Sequence, residues 1–473
     1  MPSVWVVPGA PLAGGEGWRI WYSRAGREDF QPAPVRVSGD GRTETAAAST
    51  WELLEPVGGL DRRMGVLTVR LAKPDPGAAY ELLIPEIGPR PARWRTLPGS
   101  VDGGVTFLLA SCFWLPNDKE GAYGAGVREL TRLVDPAFKL LIGDQVYQDY
   151  PQNWLLPRST FDLYADRYEE YWGNGAYQEV LQATPNFFLC DDHEFWNDFP
   201  ERQVQLGRTW GGEGRDECER AARSLYELYQ RVANPSASSY YRFDIDPVSF
   251  FVADTRSERT HFDVPEPHFL GQQQWEAIET WAEELDGPGV LVLGQPLFHH
   301  DGDWKDHSLS NFRDDFARLC ALLERILAGD GRKPHDVLIL TGDIHNARYT
   351  MATVAGIPGP PNVHELVASP TSRVGPYLTE AVAKPPPTKI SAGTDSRPST
   401  WTVVLPQSDV VPTIDNNVGA VTMAPGTRDS IRFELSIWRI RPYDARPAWN
   451  RALRGAQSQG PLLRLYSKEV ELR

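Results

Sequence analysis

At 473 residues the chain is long enough for more than one hydrophobic core, since a single core stops growing at roughly 250–300 residues. With 41% hydrophobic and 23% charged residues and 16 tryptophans it is excluded from the disordered class, and four widely spaced cysteines with no CxxC pair exclude a disulfide scaffold. The net charge of −15 argues against long nucleic acid or anionic lipid as a partner, so a small anionic substrate would need local positive charge of the kind that bound cations supply.

In chain order, residues 4–98 read as short strands between Pro and Gly turns (WRIWYS, VRVSG, GVLTVRLAKP, YELLIPE, ARWRTLP), a rhythm that predicts a small β-sandwich. No apolar run approaches the roughly 20 residues of a membrane span. The start, MPSVWVVPGAPLAGG, lacks a basic region followed by an apolar core, so a soluble, cytoplasmic chain with no membrane partner is expected. From residue 105 onward, apolar β-rich runs (TFLLAS, FKLLIGD, PNFFLCDD, SFFVADT, GVLVLGQ, DVLILTGD) alternate with helical stretches at 216–233, 272–284 and 311–328. Buried strands alternating with helices predict an α/β sheet covered on both faces. Residues 356–398, rich in Pro, Gly, Ser and Thr, read as a long loop near a site mouth, and WTVVLP, VGAVTMA and SIRFELSIWRI read as closing strands.

Four of the apolar runs end in metal-competent residues: Ser111-Cys112, Asp144, Asp191-Asp192 and Asp343. In open α/β sheets, ligands bind at the carboxyl ends of strands. Asp144 alone, after a strand and a glycine, is more often a turn or a helix cap. In Asp191-Asp192-His193-Glu194, three carboxylates beside a histidine repel one another, and a cation would relieve that repulsion. TGDIH repeats the strand-then-Gly-Asp arrangement and adds His345 two residues beyond Asp343. Three strand ends offering Asp or His together suit a two-metal hydrolase, in which a bridging carboxylate holds both cations. Cys112 and Tyr147 add anionic donors suited to ferric iron, their alternatives being a core thiol and an ordinary aromatic. The group His299, His300, Asp301, Asp303 and His307 reads as a substrate-side loop, and the glutamates at 276, 279, 283 and 284 as a solvated face.

The series ASC (110–112), GDxxY (143–147), DDHE (191–194), DTR (254–256) and GDIH (342–345), in this order, resembles the PhoD-like alkaline phosphatases of the calcineurin-like metallophosphoesterase superfamily. The resemblance implies an α/β fold with a metallophosphoesterase-type β-sandwich core flanked by helices (residues 101–473), preceded by an Fn3-like all-β domain (residues 1–100). Two departures from the wider superfamily agree with it: Ser111-Cys112 stands for an Asp-x-His opening, and Gln295 for a His before proline.

It further implies Fe(III) held by Cys112, Asp144, Tyr147 and His345, with Asp144 bridging, and a hard divalent ion, Ca(II), held by Asp192, Asp343 and Asn197. The expected activity is hydrolysis of small phosphate mono- or diesters by a metal-activated water, with Asp191, His193 and Arg256 as the catalytic group. His193 is expected to protonate the leaving alkoxide or to orient a carboxylate, and Arg256 to fork the phosphate or to pair with Asp254. Two rival readings are a nucleotide hydrolase or nuclease of the same superfamily and a catalytically silent, metal-stabilised binding protein.

Overall fold

The computed structural model describes residues 4–39, 42–45, 48–118, 121–149, 159–203, 206–261, 263–299, 309–329, 331–357, 362–372, 386–392, 399–404, 416–441 and 462–473. Its first hundred residues form two antiparallel four-stranded sheets. One is ordered Val4–Pro11, Gly17–Ala25, Arg62–Arg70, Ala48–Leu53, and the other Arg42–Thr45, Arg36–Gly39, Ala79–Leu83, Ala92–Arg95. Between them lie Val6, Trp18, Ile20, Tyr22, Val37, Val69, Leu82 and Trp94.

Strand alternation then decides how this unit meets the rest of the chain. Trp18, Ile20 and Tyr22 face the sandwich, so Trp21 faces the other way, into the core built by the following helices. Its indole N–H donates to Leu228 O at 2.7 Å. Asn186 Nδ2 to Pro8 O (2.6 Å) and Trp94 Nε1 to Gln182 O (2.9 Å) bind the same seam.

The remainder is a four-layer helix/sheet/sheet/helix sandwich. A six-stranded sheet runs Asn186–Leu189, Phe138–Ile142, Val105–Ala110, Asn416–Pro425, Ile431–Arg441, Leu463–Leu472. An eight-stranded sheet runs Tyr241–Ile245, Val248–Val252, Gly289–Val292, Val337–Thr341, Val363–Val367, Arg348–Val354, Thr400–Val404, Lys389–Ser391. Phe107, Phe138, Phe187, Phe250, Leu338 and Val421 fill the space between the two sheets. Helices α1 (Ala122–Val134), α2 (Thr160–Trp172), α3 (Gly175–Gln182) and α4 (Gly212–Tyr229) share a core with the outer face of the first sheet through Leu108, Leu141 and Phe188. Helices α5 (Gln272–Glu283) and α6 (Arg313–Ala328) cover the second through Phe251, Leu291 and Ile339. Each central strand is thus buried on both faces, which is why it reads as an unbroken apolar run.

Three features differ from the sequence reading. Helices α1 to α3 do not stand out in the sequence. In α1 the glycines Gly124 and Gly126 lower helix propensity, yet both are required, because a Cβ there would meet Ala176 O at 2.4 Å and Ile440 Cγ2 at 2.2 Å. Ser159 and Asn174 cap α2 and α3 through side chains that accept from Asp162 N and Tyr177 N. The expected loop at 356–398 contains Val363–Val367, a fully buried central strand. It is hidden in sequence by His364 and Glu365, whose polar groups are met internally by Tyr349 and Arg348. The predicted closing strands are found, but Asn416–Pro425 pairs with Val105–Ala110 in mid-sheet.

Among the described residues no helix is long and apolar enough to cross a membrane. The four cysteines are buried and free of disulfides.

Candidate metal centre

The strands Val105–Ala110, Phe138–Ile142 and Asn186–Leu189 are mutually parallel neighbours, so their carboxyl ends deliver Cys112, Asp144 and Asp191-Asp192 to one edge of the first sheet. The strand Val337–Thr341 brings Asp343 and His345 to the same place from the second sheet, where Gly342 N donates to Gly294 O at 3.0 Å. Just past these strand ends the backbone turns sharply. Cys112 (φ 57°), Asp144 (φ 55°), Asp343 (φ 64°) and His345 (φ 50°) all occupy the left-handed region, which costs a non-glycine residue about 1–3 kcal/mol where the surroundings hold it there.

At Asp144 the restraint comes from Glu194, which is fully buried. Its Oε2 accepts the backbone N–H of Asp144 (2.8 Å) and of Asp191 (2.9 Å). Its Oε1 accepts Gln145 N (2.7 Å) and Gln230 Nε2 (3.2 Å). One carboxylate therefore staples the GDxxY loop to the DDHE loop. The loops also touch directly, since a Cβ on Gly143 (φ 87°) would lie 2.3 Å from Asp191 Cβ.

The donors converge in two adjoining sets. In the first, the ligand atoms of Cys112, Asp144 and His345 lie within 4.8 Å of one another. Tyr147 Oη joins them, 3.4 Å from Asp144 Oδ2 and 3.5 Å from His345 Nε2. Ser369 Oγ, 3.1 Å from Cys112 Sγ, supports the sulfur. In the second, Asp191, Asp192 and Asp343 offer carboxylate oxygens within the same 4.8 Å limit. Asp144, Asp192 and His193 form a third overlapping group that links the two.

Three carboxylate oxygens in the second set, Asp191 Oδ2, Asp192 Oδ1 and Asp343 Oδ2, are buried and have no hydrogen-bond partner. Buried polar atoms are ordinarily satisfied, so these orphans call for a cation. The electrostatics agree. Burial, reinforced by neighbouring carboxylates, pushes Asp144 and Asp343 well above the ordinary carboxyl range. Asp191 rises to about 6, through burial opposed by Arg256 and reinforced by Asp192. Burial and Asp144 likewise raise the Cys112 thiol and the Tyr147 phenol. Placing anions this close without positive charge is unfavourable, and bound cations would reverse each shift.

His193, its side chain 12% exposed, has Nδ1 2.7 Å from Asp149 Oδ1, and its ring lies 3.9 Å from that of Tyr147 between centroids. Burial alone would lower the imidazole's pKa, but Asp149, Asp192 and Asp144 outweigh it and hold the pKa well above the usual value. The Arg256 guanidinium is fully enclosed, with Nε on Asp191 Oδ1 and Nη1 on Phe199 O at 2.9 Å. Its pairing partner is thus Asp191; Asp254 Oδ1 instead accepts Arg256 N (3.0 Å). Asn197 is anchored through its backbone N–H to Asp149 Oδ2 at 3.1 Å.

Three contributors were visible as letters but carried no assigned role: Asp149, five residues beyond Asp144; Glu194, closing DDHE; and Gln295. Of the suspected loop cluster, residues 300–308 lie outside the described residues.

No curated protein matches the chain. A solved structure described as that of PhoD superposes with a TM-score of 0.60 at 16% identity, over 94% of this chain and 87% of that one. GAP50, the anchor in the inner membrane complex of Plasmodium, reaches a TM-score of 0.37 at 9% identity, over 72% of this chain and 86% of that one. The profile of the PhoD-like phosphatases matches residues 107–401, which contain every donor named above. The chain belongs to the PhoD-like phosphatase family of phosphoester hydrolases.

Proposed function

We propose that the chain hydrolyses small phosphate mono- or diesters at a paired cation site, with Fe(III) in the set Cys112, Asp144, Tyr147 and His345 and Ca(II) in the carboxylate set of Asp191, Asp192 and Asp343, Asn197 completing the latter. The observation that carries this reading is the division of donor chemistry across Asp144. One side offers a thiol, a phenol and an imidazole, which suit ferric iron, and the other offers carboxylate oxygens, three of them unsatisfied, which suit a hard divalent ion. Bound there, the ions supply positive charge and Lewis acidity opposite the phosphoryl oxygens.

The chain's own groups do the rest. Asp149 fixes the His193 ring through Nδ1, which leaves Nε2 as the atom that holds a proton and passes it to the leaving oxygen. Arg256, enclosed and turned to Asp191, orients that carboxylate and does not clamp the phosphate. Residues 1–100 act in this reading as an Fn3-like module that buttresses α4 through Trp21.

The test is elemental analysis of protein purified without chelators, together with turnover of an aryl phosphate monoester and the matching diester. One iron and at least one calcium per chain with hydrolysis of either ester is expected. Protein without iron and without turnover on both esters would discard the proposal.

A further inference from the structure

Gln295 follows the central strand Gly289–Val292 and is fully buried. Its Oε1 accepts from Arg259 Nη2, and Arg259 is itself held by Nε to Thr255 O at 2.9 Å. A guanidinium has only donors, so the amide oxygen must face Arg259. The amide nitrogen is thereby aimed the other way, at Asp191 Oδ1, 2.7 Å distant. The direction of this amide follows from its partners and leaves no freedom to flip.

Asp191 Oδ1 consequently receives two donors, Gln295 Nε2 and Arg256 Nε, while Oδ2 of the same carboxylate has none. A carboxylate facing one buried arginine would otherwise turn both oxygens to it, because the two-pronged pairing is the strong one. The glycines on either side keep the slot narrow. A Cβ on Gly294 would sit 3.1 Å from Asp191 Oδ1, and one on Gly143 2.3 Å from Asp191 Cβ. Torsion about the Cβ–carboxylate bond of an aspartate is broad, so a second fixed donor on Oδ1 is needed to hold one orientation.

We propose that Gln295, held by Arg259, is the positioning residue that turns Asp191 from a salt-bridge partner of Arg256 into a ligand of the hard divalent cation. The proposal rests on the reading that Asp191, Asp192 and Asp343 hold such an ion. It adds that the affinity for this ion is set by a side chain that does not touch it. The two buried arginines behind Asp191 also draw off part of its charge, which moderates the repulsion within the trio while leaving Oδ2 free.

The experiment titrates calcium chloride into wild type, Gln295→Leu and Gln295→Glu by calorimetry, each freed of loosely held divalent ions with EGTA, while visible absorbance follows the iron site. In Gln295→Leu the calcium dissociation constant should rise by about 10–100-fold, the usual consequence of losing a residue that orients a ligand. Gln295→Glu, equal in shape, should be weaker still, because a second carboxylate then faces Asp191. The iron absorbance should be unchanged in both, and excess calcium should restore turnover, a rescue that a merely structural defect would not show. Calcium binding within twofold of wild type in both variants would overturn the proposal. So would joint loss of calcium, iron absorbance and thermal stability in Gln295→Glu, since that pattern marks a packing role. If wild type itself binds no calcium, the failure belongs to the paired-cation reading.

Discussion

Replacing Glu194 by Gln tests whether the centre is assembled by one buried carboxylate. Each Glu194 oxygen accepts two donors: Asp144 N and Asp191 N on Oε2, Gln145 N and Gln230 Nε2 on Oε1. An amide has one oxygen, so whichever way it turns, its NH2 faces two N–H donors that it cannot serve. Leaving two buried donors unsatisfied costs about 1–3 kcal/mol each, or about 2–6 kcal/mol together. Set against a typical total of about 5–15 kcal/mol, that loss is large for a substitution that conserves shape. Burial pushes the Glu194 carboxyl up to about 7, so the comparison belongs at about pH 8, where wild type carries the carboxylate. Urea unfolding followed by tryptophan fluorescence reads the stability, and iron and calcium content reads the site, since the two loops that carry the candidate donors lose their staple at once. A variant within about 1 kcal/mol of wild type and fully loaded with metal would refute this account.

Four further outcomes are expected. Asp144→Asn should retain less than about a tenth of wild-type turnover on an aryl phosphate, a loss above about 1.4 kcal/mol in the barrier, with circular dichroism unchanged; greater retention removes its bridging role. If Nε2 serves the leaving oxygen as proposed, His193→Ala should lose about 10²–10⁴ in rate on alkyl phosphates and far less on activated aryl phosphates; an equal loss on both would assign it to positioning. Tyr147→Phe should weaken or shift a visible charge-transfer band of the purified protein while keeping the ring's packing, and a colourless wild type would discard the iron assignment. At Asp135, burial works to raise the carboxyl but Arg95 and Arg93 hold it below its ordinary 3.8, so its stabilising effect is present above that value and lost as pH falls through the folded one. These pairs are about half exposed and screened, so Asp135→Asn should cost under about 1 kcal/mol at pH 7, and the difference should fade in unfolding curves below about pH 4.

The donor residues were legible in the sequence for a simple reason. A parallel strand buried on both faces must be apolar along its length, so the first polar residue after FFLC or LLIG stands out as the point where the sheet ends. That contrast located Cys112, Asp144, Asp191, Asp192 and Asp343, and the order of the motifs pointed to the family that residues 107–401 match. The helices α1 to α3 and the strand Val363–Val367 were not legible, because their glycines, aromatics and charges make sense only against partners far away in the chain.

What only the tertiary structure decided is which group serves which. Asp149 reaches His193 across 44 residues, Asp191 takes Arg256 across 65 and Gln295 across 104, and Glu194 ties Asp144 across 50. A residue type sets what an atom can donate or accept, and strand periodicity sets which face it occupies, so both survive in one dimension. Whether a carboxylate becomes a ligand, a salt bridge or a staple depends on the donors within about 3 Å of each oxygen, and those arrive only when neighbouring strands pair within the first sheet and the second sheet closes on it.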